Sequence, residues 1–284
     1  MAWYSKFLSI YNAELKTISY SVYKGTRRRV EWRKCDFPLV TVCVIARNEE
    51  KTLPACLNAL SRQSCRYPFE IIGVDNDSTD HTADIFKLSG IPCYHEPRHG
   101  CGYARLCGLM HARGKYHINV DADTLYPPYY VEQMVRELQR PRVLAVGATW
   151  SYLPAKGYPR YIMFFYELVR DFYLWLQHFM RPELSVRGLV FAYRTEDAKK
   201  AGIRTDIIRG EDGSLALELK KHGKIHFLYG PKTRAFTGLG TLGADGSLLK
   251  SIWKRAIKAV IGIPGLFFPK KRYQDKESNL IKNK

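Results

Sequence analysis

The chain has 284 residues, of which 46% are hydrophobic and 25% are charged, a composition that excludes intrinsic disorder for most of its length. Lys and Arg number 45 against 27 Asp and Glu, so the net charge is +18, and we expect a polyanionic partner: nucleic acid, an anionic membrane or a phosphorylated substrate. The excess is concentrated at the ends, with +5 in residues 1–36, +5 in residues 37–246 and +8 in residues 247–284. A nucleic-acid-binding domain more often carries its charge on the folded body, so we expect no nucleic-acid partner.

The cysteines and the hydrophobic runs bear on the compartment. Seven cysteines without a CxxC pair or a framework spacing indicate reduced thiols in a cytoplasmic protein. Residues 1–15 lack the basic start of a signal peptide and include Glu14, so we expect no such peptide. No run of 18 uncharged apolar residues is present in the sequence, so we expect no membrane-spanning helix.

Strands and helices alternate along the central part of the chain. Buried-type strands are predicted at 39–46, 69–74, 92–95 and 116–120, and helices at 48–61, 78–89, 104–112 and 127–139. This alternation is typical of βαβ units, so we expect an α/β fold with a Rossmann-like, mostly parallel sheet flanked by helices.

Polar residues follow three of the predicted strands. Arg47, Asp75 and the pair Asp121 and Asp123 come where the first, second and fourth strands end. Ligands bind beyond the carboxyl ends of strands in such sheets, so these side chains predict one binding crevice. Asp121 and Asp123 can share Mg²⁺ or Mn²⁺, which take oxygen ligands and are often completed by substrate phosphates. The alternative is a pair of turn-forming or helix-capping aspartates before Pro127.

Asp75 opens the second polar cluster, which runs to Asp80. Its carboxylate can accept a hydrogen bond from a base N–H or a ribose hydroxyl, and the alternative is an Asx-turn. Ser78 or Asp77 is predicted to cap the following helix, so part of this cluster is structural.

Several ordered motifs together carry a family resemblance. They are VCVIARNEE at 42–50, IIGVDNDSTDHT at 71–82, HEPRHGCGYARLCGLMHARGKY at 95–116, INVDADTLYP at 118–127, GLVFAYR at 188–194 and GED at 210–212. With them the chain resembles the family 2 glycosyltransferases of GT-A fold over roughly residues 38–230. The motif Gln-x-x-Arg-Trp of processive polysaccharide synthases is missing from the sequence, so we do not expect processive synthesis.

The resemblance implies roles for individual residues. Ala46 and Arg47 match the loop beside the nucleobase, Asp75 the acid that binds the base, and Arg105 a basic residue near the nucleotide. Asp121 and Asp123 match the DxD motif that holds Mn²⁺ or Mg²⁺ against the diphosphate, and Asp212 matches the catalytic base. The full set of expected substrate-binding residues is Ala46, Arg47, Glu49, Asp75, Arg105, Asp121, Ala122, Gly188 and Glu211.

The expected reaction is therefore sugar transfer, with inversion, from a nucleotide-linked donor carrying UDP or GDP to a hydroxyl of a lipid-linked or glycan acceptor. A divalent ion would offset charge on the leaving diphosphate, and Asp212 would take the proton of the attacking hydroxyl. A polyprenyl phosphate acceptor would already be ionised and would need no base, which is the first alternative. The second is a non-catalytic basic module that binds a membrane or nucleic acid. Asp212 can also cap the helix that follows it.

The resemblance divides the chain into three parts. We expect a basic aromatic N-terminal segment (1–36), a GT-A catalytic domain (37–246) with a nucleotide-binding half (37–125) and an acceptor half (126–246), and a basic amphipathic extension (247–284).

Amphipathic patterns at the ends and in the middle of the chain suggest contact with a membrane. Residues 247–268 predict a basic amphipathic helix that either lies on an anionic membrane or packs on the domain. A stripe from Trp3 to Leu15 allows the same two interpretations. The aromatic segment 158–179 predicts an acceptor-binding helix, a lipid-facing surface or a buried core helix. The expected location is the cytoplasm, at the periphery of the cytoplasmic face of a membrane.

Overall fold

A computed structural model of the chain describes residues 2–155, 157–207, 210–240 and 257. Ten strands lie in these residues: β1 (Val40–Ala46), β2 (Phe69–Asp75), β3 (Cys93–His95), β4 (Tyr116–Asp121), β5 (Thr124–Leu125), β6 (Val143–Ala148), β7 (Trp150–Tyr152), β8 (Phe191–Arg194), β9 (Lys224–Leu228) and β10 (Ala235–Thr237). The α-helices described are α1 (Tyr20–Trp32), α2 (Leu53–Leu60), α3 (Thr82–Leu88), α4 (Cys101–His111), α5 (Tyr130–Leu138), α6 (Arg160–Met180), α7 (Thr195–Ala201) and α8 (Glu211–His222). Short 3₁₀ turns cover Ser5–Phe7, Leu15–Thr17, Pro182–Leu184 and Gly188–Val190.

The described strands form a seven-stranded sheet in the order β3-β2-β1-β4-β8-β6-β9 and a three-stranded sheet in the order β5-β10-β7. In the large sheet β8 runs antiparallel to both neighbours, and the other pairs are parallel. The predicted α/β fold with a mostly parallel sheet is confirmed. β1, β2 and β4 are almost entirely buried, as their continuous apolar sequences predict.

The register of the central strands brings the predicted crevice together. Ala46 at the end of β1 lies opposite Asp75 at the end of β2, and Ile45 lies opposite Asp121 at the end of β4. Because these pairs are parallel, Asp75 and Asp121 flank the end of β1 on the same edge of the sheet. This edge is called the rim below.

A glycine allows α4 to lie close against this sheet. A Cβ on Gly108 would overlap the Sγ atom of Cys43 in β1, so only a glycine permits the approach. Arg105 lies three residues earlier on α4 and is buried. The close contact therefore holds the base of the Arg105 side chain near the rim.

The N-terminal stripe does not form the single helix that its spacing predicts. The chain makes two 3₁₀ turns before α1 begins at Tyr20. Tyr4 and Phe7 are buried against α2 and β5, and Tyr23 and Val30 of α1 belong to the main core. The sequence allows this stripe either to pack onto the core or to lie on lipid, and in the structure its buried residues pack onto the core.

Two other expectations concern the membrane. In the described part of the chain, no helix is long and apolar enough to cross a bilayer. The predicted helix at 247–268 and the extension 247–284 lie outside the described residues, apart from the single position Ile257.

Candidate active site

The DxD residues are held by contacts from distant parts of the chain. The backbone N–H of Asp121 donates to the hydroxyl of Tyr126 at 2.9 Å, and that hydroxyl donates to the carbonyl of Leu189 at 2.8 Å. The hydroxyl of Tyr11 donates to the carbonyl of Asp123 at 2.7 Å. The side chain of Asp123 accepts from Thr124 at 2.9 Å. The backbone of the DxD motif is thus fixed by segments that precede and follow it in sequence.

Asp123 and Glu49 share a partly buried, negatively charged environment. Burial and the charge of Asp121 raise the pKa of Asp123 to about 6. Burial and the charge of Asp123 raise the pKa of Glu49 to about 7, although a hydrogen bond from the Thr52 hydroxyl acts to lower this pKa. Both carboxyl groups are therefore harder to ionise than in water, and a cation between them would relieve the repulsion.

The donor set at this point suits a hard divalent cation. Asp121 and Asp123 offer the carboxylate oxygens that Mg²⁺ and Mn²⁺ prefer, and burial together with the charge of neighbouring carboxylates raises the pKa of Asp123. Across the residues that the structure describes, no group of three or more His, Cys, Asp and Glu side chains forms a complete metal site. Remaining ligands would therefore have to come from water or from a bound diphosphate, which is the usual arrangement for Mg²⁺.

Arg105 links the DxD motif to the GED motif. Its Nη2 donates to Oδ1 of Asp121 at 3.0 Å, and its Nε lies 3.2 Å from Oδ1 of Asp212 and 3.4 Å from Oε1 of Glu211. The Arg105 side chain is only 4% exposed. Burial lowers its pKa, but the three carboxylates outweigh burial and hold the pKa well above the ordinary value. One cation thus joins strand end β4 to the first turn of α8, which are about 90 residues apart in sequence.

Asp212 lies in the first turn of α8 and does not cap it. The N-cap residue is Gly210, and no side chain provides the cap hydrogen bond. Burial raises the pKa of Asp212, and the neighbouring carboxylates of Glu211 and Asp121 raise it further, whereas Arg105 lowers it. A carboxylate with a raised pKa is suited to accept a proton near neutral pH.

Gly188 lies directly against the ion pair of Arg105 and Asp212. A Cβ at this position would overlap Nη2 of Arg105 and Oδ2 of Asp212. The 3₁₀ turn Gly188–Val190 therefore brings its backbone against the side chains of the GED motif, as only glycine allows.

The base-binding candidate Asp75 is buried at the end of β2. Its Oδ2 lies 3.5 Å from Nδ1 of His95, and its Oδ1 is buried with no hydrogen-bond partner among the described residues. A buried acceptor without a donor is unfavourable, so a ligand N–H would stabilise it.

Next to Asp75, the loop after β3 is clamped onto the rim. The Asn76 side chain donates to the carbonyls of Glu96 and Arg98 at 2.9 and 2.7 Å and accepts from Gly100 N at 2.9 Å. This clamp brings His99 to the rim and fixes the start of α4.

Arg47 reaches the same loop through His99. Its Nη2 donates to Nδ1 of His99 at 3.1 Å. Since Nδ1 then accepts, Nε2 of His99 carries the hydrogen and donates to Asp77 at 2.6 Å. Arg47, Asp75 and the loop 95–100 thus meet beyond the end of β2, as the strand-end rule predicts.

All four predicted helix starts differ from the observed ones. The helices predicted at 48–61, 78–89, 104–112 and 127–139 begin at Leu53, Thr82, Cys101 and Tyr130, and the N-cap of the second is His81. Ser78 does not cap α3, because its hydroxyl accepts from the backbone N–H of Asn48. Asn48 in turn accepts from Thr79, so the two loops bind each other before either helix starts.

The comparisons with known proteins agree with this geometry. The sequence model of the family described as "Glycosyl transferase family 2" matches residues 41–196, which is more than half of the chain. The chain belongs to glycosyl transferase family 2. The predicted family is thereby confirmed.

Curated relatives resemble the chain in sequence over part of its length. An uncharacterized glycosyltransferase of Mycobacterium tuberculosis is 33% identical over 108 residues, covering 38% of this chain and 47% of that protein. The 4,4'-diaponeurosporenoate glycosyltransferase of Staphylococcus haemolyticus is 46% identical over 56 residues, covering 20% and 14%. The chain thus spans half or less of the length of these curated relatives.

The fold is shared more widely than the sequence. A mannosyltransferase of Pyrobaculum calidifontis, solved with GDP-Man and Mn²⁺, has a TM-score of 0.57 at 20% identity, with 88% of this chain and 79% of that chain covered. Glucosyl-3-phosphoglycerate synthase of Mycobacterium tuberculosis, solved with Mn²⁺, UDP-glucose and phosphoglyceric acid, has a TM-score of 0.53 at 18% identity, with 87% and 88% covered. These similarities confirm the GT-A fold.

Three residues of the candidate site are not found by sequence reasoning. Tyr11, Tyr126 and Thr237 contact Asp121 or Asp123, and only Tyr126 lies inside a recognised motif. Tyr11 and Thr237 are 112 and 114 residues from Asp123. No local spacing signals such contacts.

Proposed function

We propose that the protein transfers a hexose, with inversion, from a nucleotide-linked donor to a hydroxyl of a lipid-linked or glycan acceptor, in a reaction that needs Mn²⁺ or Mg²⁺. The observation that carries this proposal is the chain of contacts from Asp121 through Arg105 to Asp212. It supports a donor diphosphate site and a proton acceptor within one crevice. We further propose that the crevice lies in a GT-A catalytic domain of residues 37–246, with the nucleotide bound by 37–125 and the acceptor by 126–246.

The donor would lie along the rim. Asp75 would accept the N–H of a uracil, which satisfies its unpartnered Oδ1, and Ala46 and Arg47 would flank the base. Asp121 and Asp123 would hold the metal ion, and when bound it would offset charge on the departing diphosphate. Support for UDP comes from the glucosyl-3-phosphoglycerate synthase neighbour, solved with UDP-glucose, and the mannosyltransferase neighbour makes GDP the alternative to test.

The acceptor would approach from the side of Gly188 and Asp212. Asp212 would take the proton of the acceptor hydroxyl as it attacks the sugar carbon from the face opposite the diphosphate. Arg105 and Glu211 would hold Asp212 in place during this step. A polyprenyl phosphate acceptor is the second candidate, because it would need no proton acceptor.

We also propose that the protein works in the cytoplasm, at the periphery of a membrane. The seven cysteines, all of them free thiols, agree with a reducing compartment. The charge of +8 over residues 247–284 would favour an anionic surface.

Calorimetric titration of UDP and GDP, with and without Mn²⁺, tests the donor site. We expect Mn²⁺-dependent binding of UDP by the wild type and its loss in Asp123→Asn. Asp84→Asn is the matched control, because the Asp84 side chain is 70% exposed and pairs with His81 instead of with a residue of the DxD motif. If neither nucleotide binds with any metal, the proposed function is wrong.

A transfer assay separates the two acceptor classes. UDP-glucose, UDP-N-acetylglucosamine and GDP-mannose are each offered with octyl glucoside or with a short polyprenyl phosphate. We expect transfer to the hydroxyl acceptor and a loss of roughly 100-fold or more in Asp212→Asn. Full activity of that variant with the phosphate acceptor would favour the second candidate.

A further inference from the structure

The longest described helix, α6, has its apolar side turned outward. Between Tyr161 and Phe179, eight large apolar side chains are 50–82% exposed. They are Tyr161, Phe164, Phe165, Leu168, Val169, Phe172, Trp175 and Phe179. Their spacing of three and four residues places them on one side of the helix, along about 27 Å at 1.5 Å per residue. This set is called the α6 apolar face below.

The charged residues in the middle of α6, Glu167, Arg170 and Asp171, are turned inward and have hydrogen-bond or ion-pair partners there. Glu167 accepts from the Ser151 hydroxyl at 2.6 Å and from Tyr152 N at 2.8 Å. Asp171 pairs with Arg234 at 2.6 Å and with Arg170 at 2.7 Å. The helix is therefore fixed in this orientation by ion pairs and hydrogen bonds to β7 and to the segment before β10.

The exposed apolar area exceeds what a water-facing helix ordinarily shows. A large aromatic side chain offers roughly 150–250 Å², so eight residues that are at least half exposed present on the order of 1,000 Å². The largest apolar patch on a typical monomer is about 300–600 Å². A surface of this size and aromatic content indicates a binding partner.

We propose that the α6 apolar face is a membrane-docking surface that inserts into the interfacial region of an anionic bilayer. The charge of the molecule selects this occupant. The chain carries +18, and the carboxylates of α6 are turned away and paired, so none of them opposes an anionic surface. A dimer joined through this face would instead bring together two chains that each carry a net charge of +18, and their electrostatic repulsion is unfavourable.

The composition of the face agrees with a bilayer interface. Trp, Tyr and Phe are the residues that favour the boundary between headgroups and acyl chains. Along its length the face has two polar groups, the hydroxyl of Tyr161 and the indole N–H of Trp175, whereas a protein partner usually forms about one hydrogen bond per 100–200 Å² of interface.

The face also leads toward the rim. A groove of about 540 Å³ is lined by Phe164 and Phe165 of α6, by Tyr4 and by Phe236 of β10. The next residue, Thr237, hydrogen-bonds Asp123 at 3.3 Å. Docking through α6 would thus bring the groove and the rim near the bilayer. Access of a lipid-linked acceptor to the rim rests on the proposed function, whereas docking itself does not.

Vesicle co-sedimentation of the full chain tests the proposal. The probes are phosphatidylcholine vesicles with and without 30% phosphatidylglycerol. The test variant is Phe164→Ser/Phe172→Ser/Trp175→Ser, and the matched control is Tyr20→Ser/Trp32→Ser/Phe37→Ser, which changes three exposed aromatic residues elsewhere. We expect the wild type and the control to bind anionic vesicles, and the test variant to lose roughly 100-fold in partition coefficient.

Two further measurements identify the occupant. In a Trp253→Phe background, which removes the one tryptophan of residues 247–284, brominated lipids should quench Trp fluorescence with or without Trp32→Phe, and much less with Trp175→Phe. Sedimentation equilibrium without vesicles should give the monomer mass for the wild type. A wild-type dimer that dissociates in the triple variant would overturn the proposal, because a second copy would cover the face. Protection of Trp175 from iodide quenching in the vesicle-free monomer would also overturn it, because another part of the same chain would cover the face.

An unchanged partition coefficient in the test variant would also overturn the proposal. Thermal melting checks that the variant is folded. UDP titration with Mn²⁺ in the same variant is expected to be unchanged, so a failure of membrane docking is distinguished from a failure of the proposed function.

Discussion

Replacing Arg105 with Met removes the guanidinium that three carboxylates of the crevice share. Asp121, Glu211 and Asp212 lie 3.0, 3.4 and 3.2 Å from its nitrogens, and the Arg105 side chain is 4% exposed. Removing one partner of a buried ion pair leaves an uncompensated charge and destabilises a protein by about 3–5 kcal/mol. We expect Arg105→Met to lose about this much free energy of unfolding at pH 8.

The loss should depend on pH with a definite sign. Burial already raises the pKa of Asp212 and Arg105 lowers it, so without the guanidinium this pKa rises further above that of the unfolded chain and the folded variant binds more protons. Stability then falls as pH rises, and the difference from wild type should be larger at pH 8 than at pH 5.

Urea denaturation at the two pH values measures this difference. Arg113→Met is the matched control, because Arg113 pairs with Glu70 at 2.6 Å but is 58% exposed, and such surface pairs contribute about 1 kcal/mol or less. Arg105→Lys keeps the charge but not the fork that spans three acids, so it should lose less than Arg105→Met. A loss below about 1 kcal/mol for Arg105→Met, or one equal at pH 5 and pH 8, would refute the reasoning.

The remaining predictions concern a glycine, the metal site and a buried histidine. Gly188→Ala should lower stability by about 1–3 kcal/mol in a denaturation experiment, because its Cβ overlaps the buried ion pair, whereas Gly230→Ala, which meets no atom within 4 Å, should stay within about 0.5 kcal/mol. Mn²⁺ affinity should rise between pH 5.5 and 7.5, because Asp123 and Glu49 have pKa values of about 6 and about 7 and must lose their protons to bind a cation; equal calorimetric affinities at both values would contradict this. Burial lowers the pKa of His117 to about 3, so below pH 6.5 the unfolded chain binds a proton that the folded chain does not, and stability falls. Relative to His117→Gln, the wild type should lose stability as the pH falls from 6.5 to 5, with a slope that approaches about 1.4 kcal/mol per pH unit near pH 5, and parallel stability curves would show that the histidine is not buried neutral.

Sequence reasoning succeeds where a local pattern has one physical outcome. The apolar, β-branched runs of β1, β2 and β4 can only be buried strands, and their lengths place Asp75 and Asp121 at strand ends. Parallel connections then bring these ends to one edge. The rim therefore follows from strand pattern and topology without knowledge of any side-chain contact.

The helix boundaries show where local signals compete. Asn48 and Ser78 each carry the side chain of a helix start, yet they bind each other across two loops, and α2 and α3 begin later. A capping residue satisfies whichever backbone donor is near, and the sequence does not say which donor that is.

The amino-acid sequence by itself determines the α/β class, the strand ends that carry Asp75 and Asp121, and the motifs of glycosyl transferase family 2. Only the tertiary structure decides that Arg105 bridges Asp121 to Asp212, that Tyr11 holds Asp123, and that the apolar side of α6 faces outward. The physical reason is the distance along the chain between the residues that determine each feature. Strand patterns depend on neighbours two to four residues away. An ion pair or an exposed helix face depends instead on how the rest of the chain packs. An apolar helical stripe has the same sequence pattern whether it faces the core or a bilayer.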